Sequence, residues 1–216
     1  MAHHKAAILD PNNSASPLSI TAERTALLLM DYHNAFIWMG GEAAFAAVKQ
    51  GKSMRDWASA NGVVVVHCLV DMKQPILSSF KGAYRFKLMA ARMNMQEQPD
   101  AANEHKDIAF DSTNGEFMFT RPLGYISVLK SPDLGPLLRS KGIKSLLLCG
   151  VSTSGCVLST ARGAGDDEYI VTVIEDACMD RDPGLHETLI QKVFPSQAHV
   201  TTAVEFQEQW HKVDRN

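Results

Sequence analysis

The sequence predicts an α/β fold, three layers α-β-α around a mostly parallel, Rossmann-like central sheet, and three observations predict it. Short apolar, β-branched runs alternate with helix-period segments along most of the chain. The run at 146–148 is apolar throughout, as in a strand covered on both faces. The length, 216 residues, suits one domain with a sizeable core. That domain spans 24–216. Residues 1–23 carry Pro11, Asn12, Asn13, Ser14 and Pro17 without periodicity and read as an extended N-terminal arm.

Taken in order, TALLLM at 25–30 is the first strand, with Asp31 at its C-terminal end, where parallel sheets bind ligands. The segment 31–36 leads into a helical region. A helix follows at 42–60, with Phe45, Val48 and Trp57 on its apolar side and Asn61-Gly62 closing it. The β-branched run 63–70 is the second strand. Residues 72–116 are mixed: a helix at 81–95, a loop at 99–112, and insertions placed to cover the strand ends. A short strand at 117–120 ends at Arg121. Ser131-Pro132 opens a helix that Gly142 stops, and the central strand follows. Strands at 169–174 and 199–202 alternate with helices at 184–193 and 204–212.

The formal net charge of −3 offers no basic field for nucleic acid or an anionic membrane. No apolar run approaches the roughly 20 residues of a membrane span, and MAHHK is too polar to open a secretion signal. Cys68, Cys149, Cys156 and Cys178 show no CxxC spacing, which fits reduced thiols in the cytoplasm. Neither a GxGxxG after a strand nor a P-loop is present, so no nucleotide cofactor is expected. His67 lies inside a strand pattern, which reads as structural rather than metal-binding.

Two residues carry chemistry by position. Cys156 follows a buried strand and a run of small residues, VSTSG, where a helix should begin. A thiol near a helix N-terminus has its pKa lowered and is suited to nucleophilic attack; the same place also suits a small core residue. Asp31 stands where a parallel sheet binds ligands, a place that equally suits a helix N-cap.

GVSTSGCV, MDYHNAF, FTRPLGY and VIEDACMDRDPGLHETLI together resemble the isochorismatase-like cysteine hydrolase superfamily, which includes nicotinamidases, carbamoylsarcosine amidase, ureidoacrylate and maleamate amidohydrolases and isochorismatases. The match runs in register from about Arg24 to about Gln207. The resemblance implies a catalytic Asp31, Arg121 and Cys156, with arginine where most members have lysine. It implies an oxyanion hole from the backbone N–H groups of Ser152 and Cys156, and a cis peptide between Val151 and Ser152. The activity implied is hydrolysis of a C–N bond in a small amide, imide or carbamoyl substrate through a Cys156 thioester, with Asp31 as acid/base. Nicotinamidases of that family carry a metal-binding Asp-x-His; VVVVHCLVDMKQP lacks it, so no metal is expected, nor any cofactor, while a homo-oligomer, dimer or tetramer, is implied by the resemblance. Phe36, Trp38, Met39 and Tyr125 neighbour the catalytic strand ends and are expected pocket walls. Arg162, Arg181 and His186 are candidates for binding a substrate carboxylate, each with a structural alternative, and Lys130 is a candidate substitute for the missing lysine. Arg121 also opens a second reading, a weakly active or non-catalytic binding or regulatory relative. A third is a thiol redox sensor on Cys156.

Overall fold

The computed structural model describes residues 9–92 and 97–213. Six strands form one sheet: β1 (Thr25–Met30), β2 (Val64–Asp71), β3 (Phe117–Pro122), β4 (Ser145–Val151), β5 (Ile170–Met179) and β6 (His199–Thr201). Their order is β3-β2-β1-β4-β5-β6, and every neighbouring pair is parallel. The topology reverses between β1 and β4, so the crevice above their C-terminal ends is where such a sheet binds ligands.

Two-residue alternation along β1 divides the core. Leu27 and Leu29 face one hydrophobic cluster, and Ala26, Leu28 and Met30 face the other. The first cluster is closed by α1 (Asn34–Ala60) through Val48, Met54 and Trp57 and by α6 (Ala203–Lys212) through Phe206 and Trp210. Trp57 packs edge-on against both rings of α6. The second is closed by α3 (Leu134–Ser140) and α4 (Leu158–Asp166), which contribute Leu134, Leu138, Ala161 and Ala164. The layers are helix, sheet, helix. α6 begins on a capping box in which Thr202 and Glu205 satisfy each other's backbone N–H groups.

Four expectations meet a different local structure. Residues 9–24 are not an extended arm; they form turns and two short 3₁₀ helices, Pro17–Ser19 and Ala22–Arg24. Leu9 and Leu18 enter the first core cluster, and the Ala15 carbonyl meets His199 Nε2 at 2.8 Å. Two isolated leucines carry no period, so burial by a distant surface was invisible. α1 starts at Asn34 rather than 42 and is kinked at Gly41, whose φ of 59° favours glycine. Of the helix expected at 81–95, α2 (Ala83–Arg92) is described, and residues 93–96 lie outside the described part. The helix expected at 184–193 divides into α5 (Pro183–Thr188) and a wider turn, Leu189–Val193. Among the described residues, no helix is long and apolar enough to cross a membrane.

Candidate active site

Asp31, Arg121 and Cys156 come from three different strand ends and meet at one rim of the sheet. Asp31 directly follows β1 and takes a left-handed conformation, φ 58°, which Asp tolerates better than bulky residues. Its own N–H donates to the Cys68 carbonyl at 3.1 Å, and its Oδ1 accepts the Val70 N–H at 3.0 Å, so the side chain is tied to β2.

Arg121 stands in β3 opposite Val70 and reaches past β2 to Asp31. Nη1 donates to Oδ1 at 3.1 Å and Nη2 to Oδ2 at 2.6 Å, a two-point pairing. Nε donates to the Tyr125 carbonyl at 2.9 Å and Nη2 to the Ile126 carbonyl at 3.0 Å. With 1% of its surface exposed, it is the largest fully buried side chain described. Burial works against its charge, but the carboxylate of Asp31 more than offsets this and its pKa is raised. Lys130, exposed at the end of a short turn, lies outside the cleft and does not substitute for it.

Cys156 lies two residues before the start of α4, inside the turn that leads into it. The Val151–Ser152 peptide is cis, and residues Thr153–Val157 form a wide turn before α4, with Val157 N–H on the Ser152 carbonyl at 3.4 Å. Gly150, just before, brings β4 against the end of β1; a Cβ there would lie 2.7 Å from the Met30 carbonyl oxygen. The turn is pinned from outside: Asp180 accepts the Ser154 N–H at 2.7 Å, and Thr153 Oγ1 meets His186 Nδ1 at 2.8 Å.

The Cys156 thiol is 4% exposed and lies 3.7 Å from the Ser152 carbonyl. The expected lowering of its pKa is reversed. Burial pushes it well above the usual thiol value, the neighbouring Asp31 carboxylate pushes it further, and the Arg121 guanidinium only partly opposes them. The resting arrangement is a neutral thiol beside an Arg-paired carboxylate.

These groups open into a cleft of about 280 Å³. Its walls are mainly apolar: Phe36, Met39, Phe80, Leu123, Tyr125, Ile126 and Met179, with Ser152 and Gly155 beside the thiol. Phe36, Met39 and Tyr125, three of the four residues expected there, line it. Trp38 does not: it is 40% exposed and outside the cleft. Met39 is three residues after Phe36 and shares its face, whereas Trp38 is turned about 200° around the helix. Phe80, Leu123, Ile126 and Met179 were missed as walls; Leu123, Ile126 and Met179 could have been suspected from their places at or just past the ends of β3 and β5.

Of the three candidates for carboxylate recognition, only Arg181 lines the cleft. It is exposed, and among the described residues it makes no ion pair. Arg162 lies exposed on α4 outside it, and His186 is engaged by Thr153. His67 is wholly buried in β2, with Nδ1 2.8 Å from Glu104 Oε1 and Nε2 3.2 Å from Glu116 Oε2, off the line of a hydrogen bond. It is a core residue, as its strand position implied.

Known proteins share this arrangement of elements along nearly the whole chain. The chain is 25% identical over 217 aligned residues to ureidoacrylate amidohydrolase RutB of Azorhizobium caulinodans, covering 91% of this chain and 95% of that one. It is 25% identical over 190 residues to maleamate amidohydrolase of Pseudomonas putida, covering 86% of each. An isochorismatase family protein from Desulfovibrio vulgaris superposes with a TM-score of 0.71 at 23% identity, over 88% of this chain and 99% of its own, a likeness of fold. The isochorismatase domain family matches residues 25–205, six strands and their rim included, and the chain belongs to that family.

Proposed function

We propose that the protein is a cysteine amidohydrolase that cleaves the C–N bond of a small amide bearing a carboxylate. The observation that carries this is the pairing of Asp31 with Arg121 directly beside the Cys156 thiol, at the base of one small apolar cleft. The unpaired Arg181 at the cleft supports a substrate carboxylate, and both amidohydrolase relatives are named for amides of that kind.

The chemistry uses the chain's own groups. A bound substrate excludes water and sets its carbonyl carbon against Sγ. Asp31 takes the thiol proton as the C–S bond forms, and the oxyanion is held by the Ser152 and Cys156 N–H groups. Asp31 returns the proton to the leaving nitrogen, the C–N bond breaks, and a thioester remains. Water, deprotonated by Asp31, then releases the acid and the thiol. Arg121 holds Asp31 in place and limits the negative charge accumulating around the sulfur.

Ammonia release from a panel of small amides, with and without a carboxylate, tests the proposal. Turnover restricted to the carboxylate-bearing members, lost in Cys156→Ala and weakened chiefly in KM by Arg181→Gln, is the expected result. A specific observation favours the second reading, a binding relative without turnover: Arg121 donates to both oxygens of Asp31, and burial pushes the Cys156 thiol up, away from its reactive thiolate form. Saturable binding of a carboxylate amide with no ammonia release would establish that reading instead. We further propose a cytoplasmic homo-oligomer. Four free, buried cysteines support the compartment, and exposed Trp38, Tyr125 and Ile126 near the cleft mouth support self-association. Light scattering on the purified chain tests the latter.

A further inference from the structure

One buried titratable side chain beside the reacting carboxylate has no part in the steps above. His33 lies two residues past Asp31 and is 1% exposed. Its backbone precedes α1 and pairs with Glu104 on the loop that enters β3; the carbonyls of Ala101 and Asn103 on that loop accept the first N–H groups of α1. The ring is held edge-on by Phe36, 5.4 Å between centroids.

His33 Nδ1 lies 2.8 Å from the Ala102 carbonyl oxygen. A carbonyl oxygen only accepts, so Nδ1 carries the proton and the neutral ring keeps a lone pair on Nε2. That Nε2 is buried, has no hydrogen-bond partner among the described residues, and lies 4.0 Å from Asp31 Oδ1. An orphaned buried nitrogen is costly, and one facing the acid/base carboxylate has a direct means of acting on it. Asp31 already accepts one N–H from Val70 and two from Arg121. A further donor would stabilise its anion more and weaken it as a base.

We propose that His33 governs the basicity of Asp31. Neutral, it presents only a lone pair and leaves the carboxylate able to take the Cys156 proton. Protonated from solvent, it places a positive charge 4.0 Å from Oδ1, and the ion pair leaves Asp31 too poor a base for the step. His33 is a positioning residue acting through Asp31, and the acid limb of turnover belongs to its imidazole. The charged groups acting on it are Asp31 after β1, Glu104 on the loop and Arg121 in β3. Burial lowers its pKa below the usual imidazole value, Asp31 and Glu104 oppose this, and Arg121 adds to it. The switch therefore operates on the acid side of neutrality.

The inference rests on the amidohydrolase reading for its activity arm, so the test has a second arm that does not. His33→Asn keeps an amide N–H where Nδ1 stands and removes Nε2, preserving the bond to Ala102. In the activity arm, the acid limb of kcat/KM should move to lower pH by about one unit or more in this variant. In the second arm, the His33 imidazole is followed by NMR in the full-length chain and in Asp31→Asn. The expected spectrum shows the Nδ1–H tautomer at neutral pH and a titration midpoint that falls further once the Asp31 charge is gone. An acid limb that His33→Asn leaves in place overturns the proposal, as does a midpoint indifferent to Asp31→Asn. Should no amide be turned over, the NMR arm decides alone, and the hydrolase reading fails separately.

Discussion

Two arginine–carboxylate pairs involve β3, Arg121–Asp31 at its C-terminal end and Arg55–Glu116 at its start, alike in chemistry and different in setting. Arg55 holds Glu116 with Nε at 2.7 Å and Nη2 at 2.8 Å, much as Arg121 holds Asp31. Glu116 also accepts the Asp111 N–H, lies 3.2 Å from His67 Nε2 without a hydrogen bond to it, and lines no part of the cleft. Asp31 instead faces a cleft and a thiol. The comparison teaches that pairing and burial alone mark a structural group. A reacting atom and room for a substrate beside the pair are what make it a candidate for catalysis.

That contrast can be broken at either pair. Removing the cleft thiol acts only on the cleft: on the proposed reading, Cys156→Ala should lower amide turnover by about a thousandfold or more, with unfolding in urea little changed. Arg55→Met should do the opposite, leaving Glu116 buried without its partner and costing about 3 kcal/mol of stability by urea unfolding, with kcat per folded molecule retained. If Arg55→Met instead abolished turnover in folded protein, the separation of the two pairs would be wrong.

The carboxylates give the comparison a pH dependence. For Glu116, burial tends to raise the pKa, but the Arg55 and Asp111 hydrogen bonds outweigh it, and the net shift is downward. A depressed carboxylate contributes stability that is fully present above the ordinary glutamate value and is lost as pH falls through the lower folded one. Stability of the parent should therefore fall with acidification in that window, and Glu116→Gln should flatten the fall.

The thiol supplies a further test. Because burial and Asp31 hold Cys156 neutral, its alkylation by iodoacetamide should be slow at pH 7 and rise only in the alkaline range. Asp31→Asn removes the neighbouring anion and should accelerate alkylation at pH 8 by about tenfold while eliminating turnover. Fast alkylation of the parent near neutrality would contradict the buried, neutral thiol and revive a sensor role. The smallest effect expected lies away from both pairs: Thr202→Ala removes one half of the α6 capping box and should cost about 1 kcal/mol of stability, with turnover unchanged.

Much of this was legible in the residues themselves. All-apolar strands bounded by glycine and polar turns are a local property, so TALLLM, the 63–70 run and SLLL could be read as buried parallel strands without knowing their neighbours. Asp31, Arg121 and Cys156 were nameable because each stands at such a strand's C-terminal end within a family motif. What depends on side-chain direction is not legible in the same way: of the neighbours Trp38 and Met39, both expected as walls, helical rotation brings only Met39 to the cleft.

The sequence by itself determined the class of fold and which polar residues and which thiol stand at its strand ends, because these follow from local pattern and residue type. Only the tertiary structure decided that Arg121 reaches past β2 to grip Asp31 at two points, that Leu9 and Leu18 close the core, and that His33 turns an unpartnered nitrogen toward Asp31. It also decided the sign of the Cys156 shift. A helix start in sequence suggests a stabilised thiolate, but the balance between that field, a nearby carboxylate and the loss of water depends on burial, which three-dimensional packing alone sets.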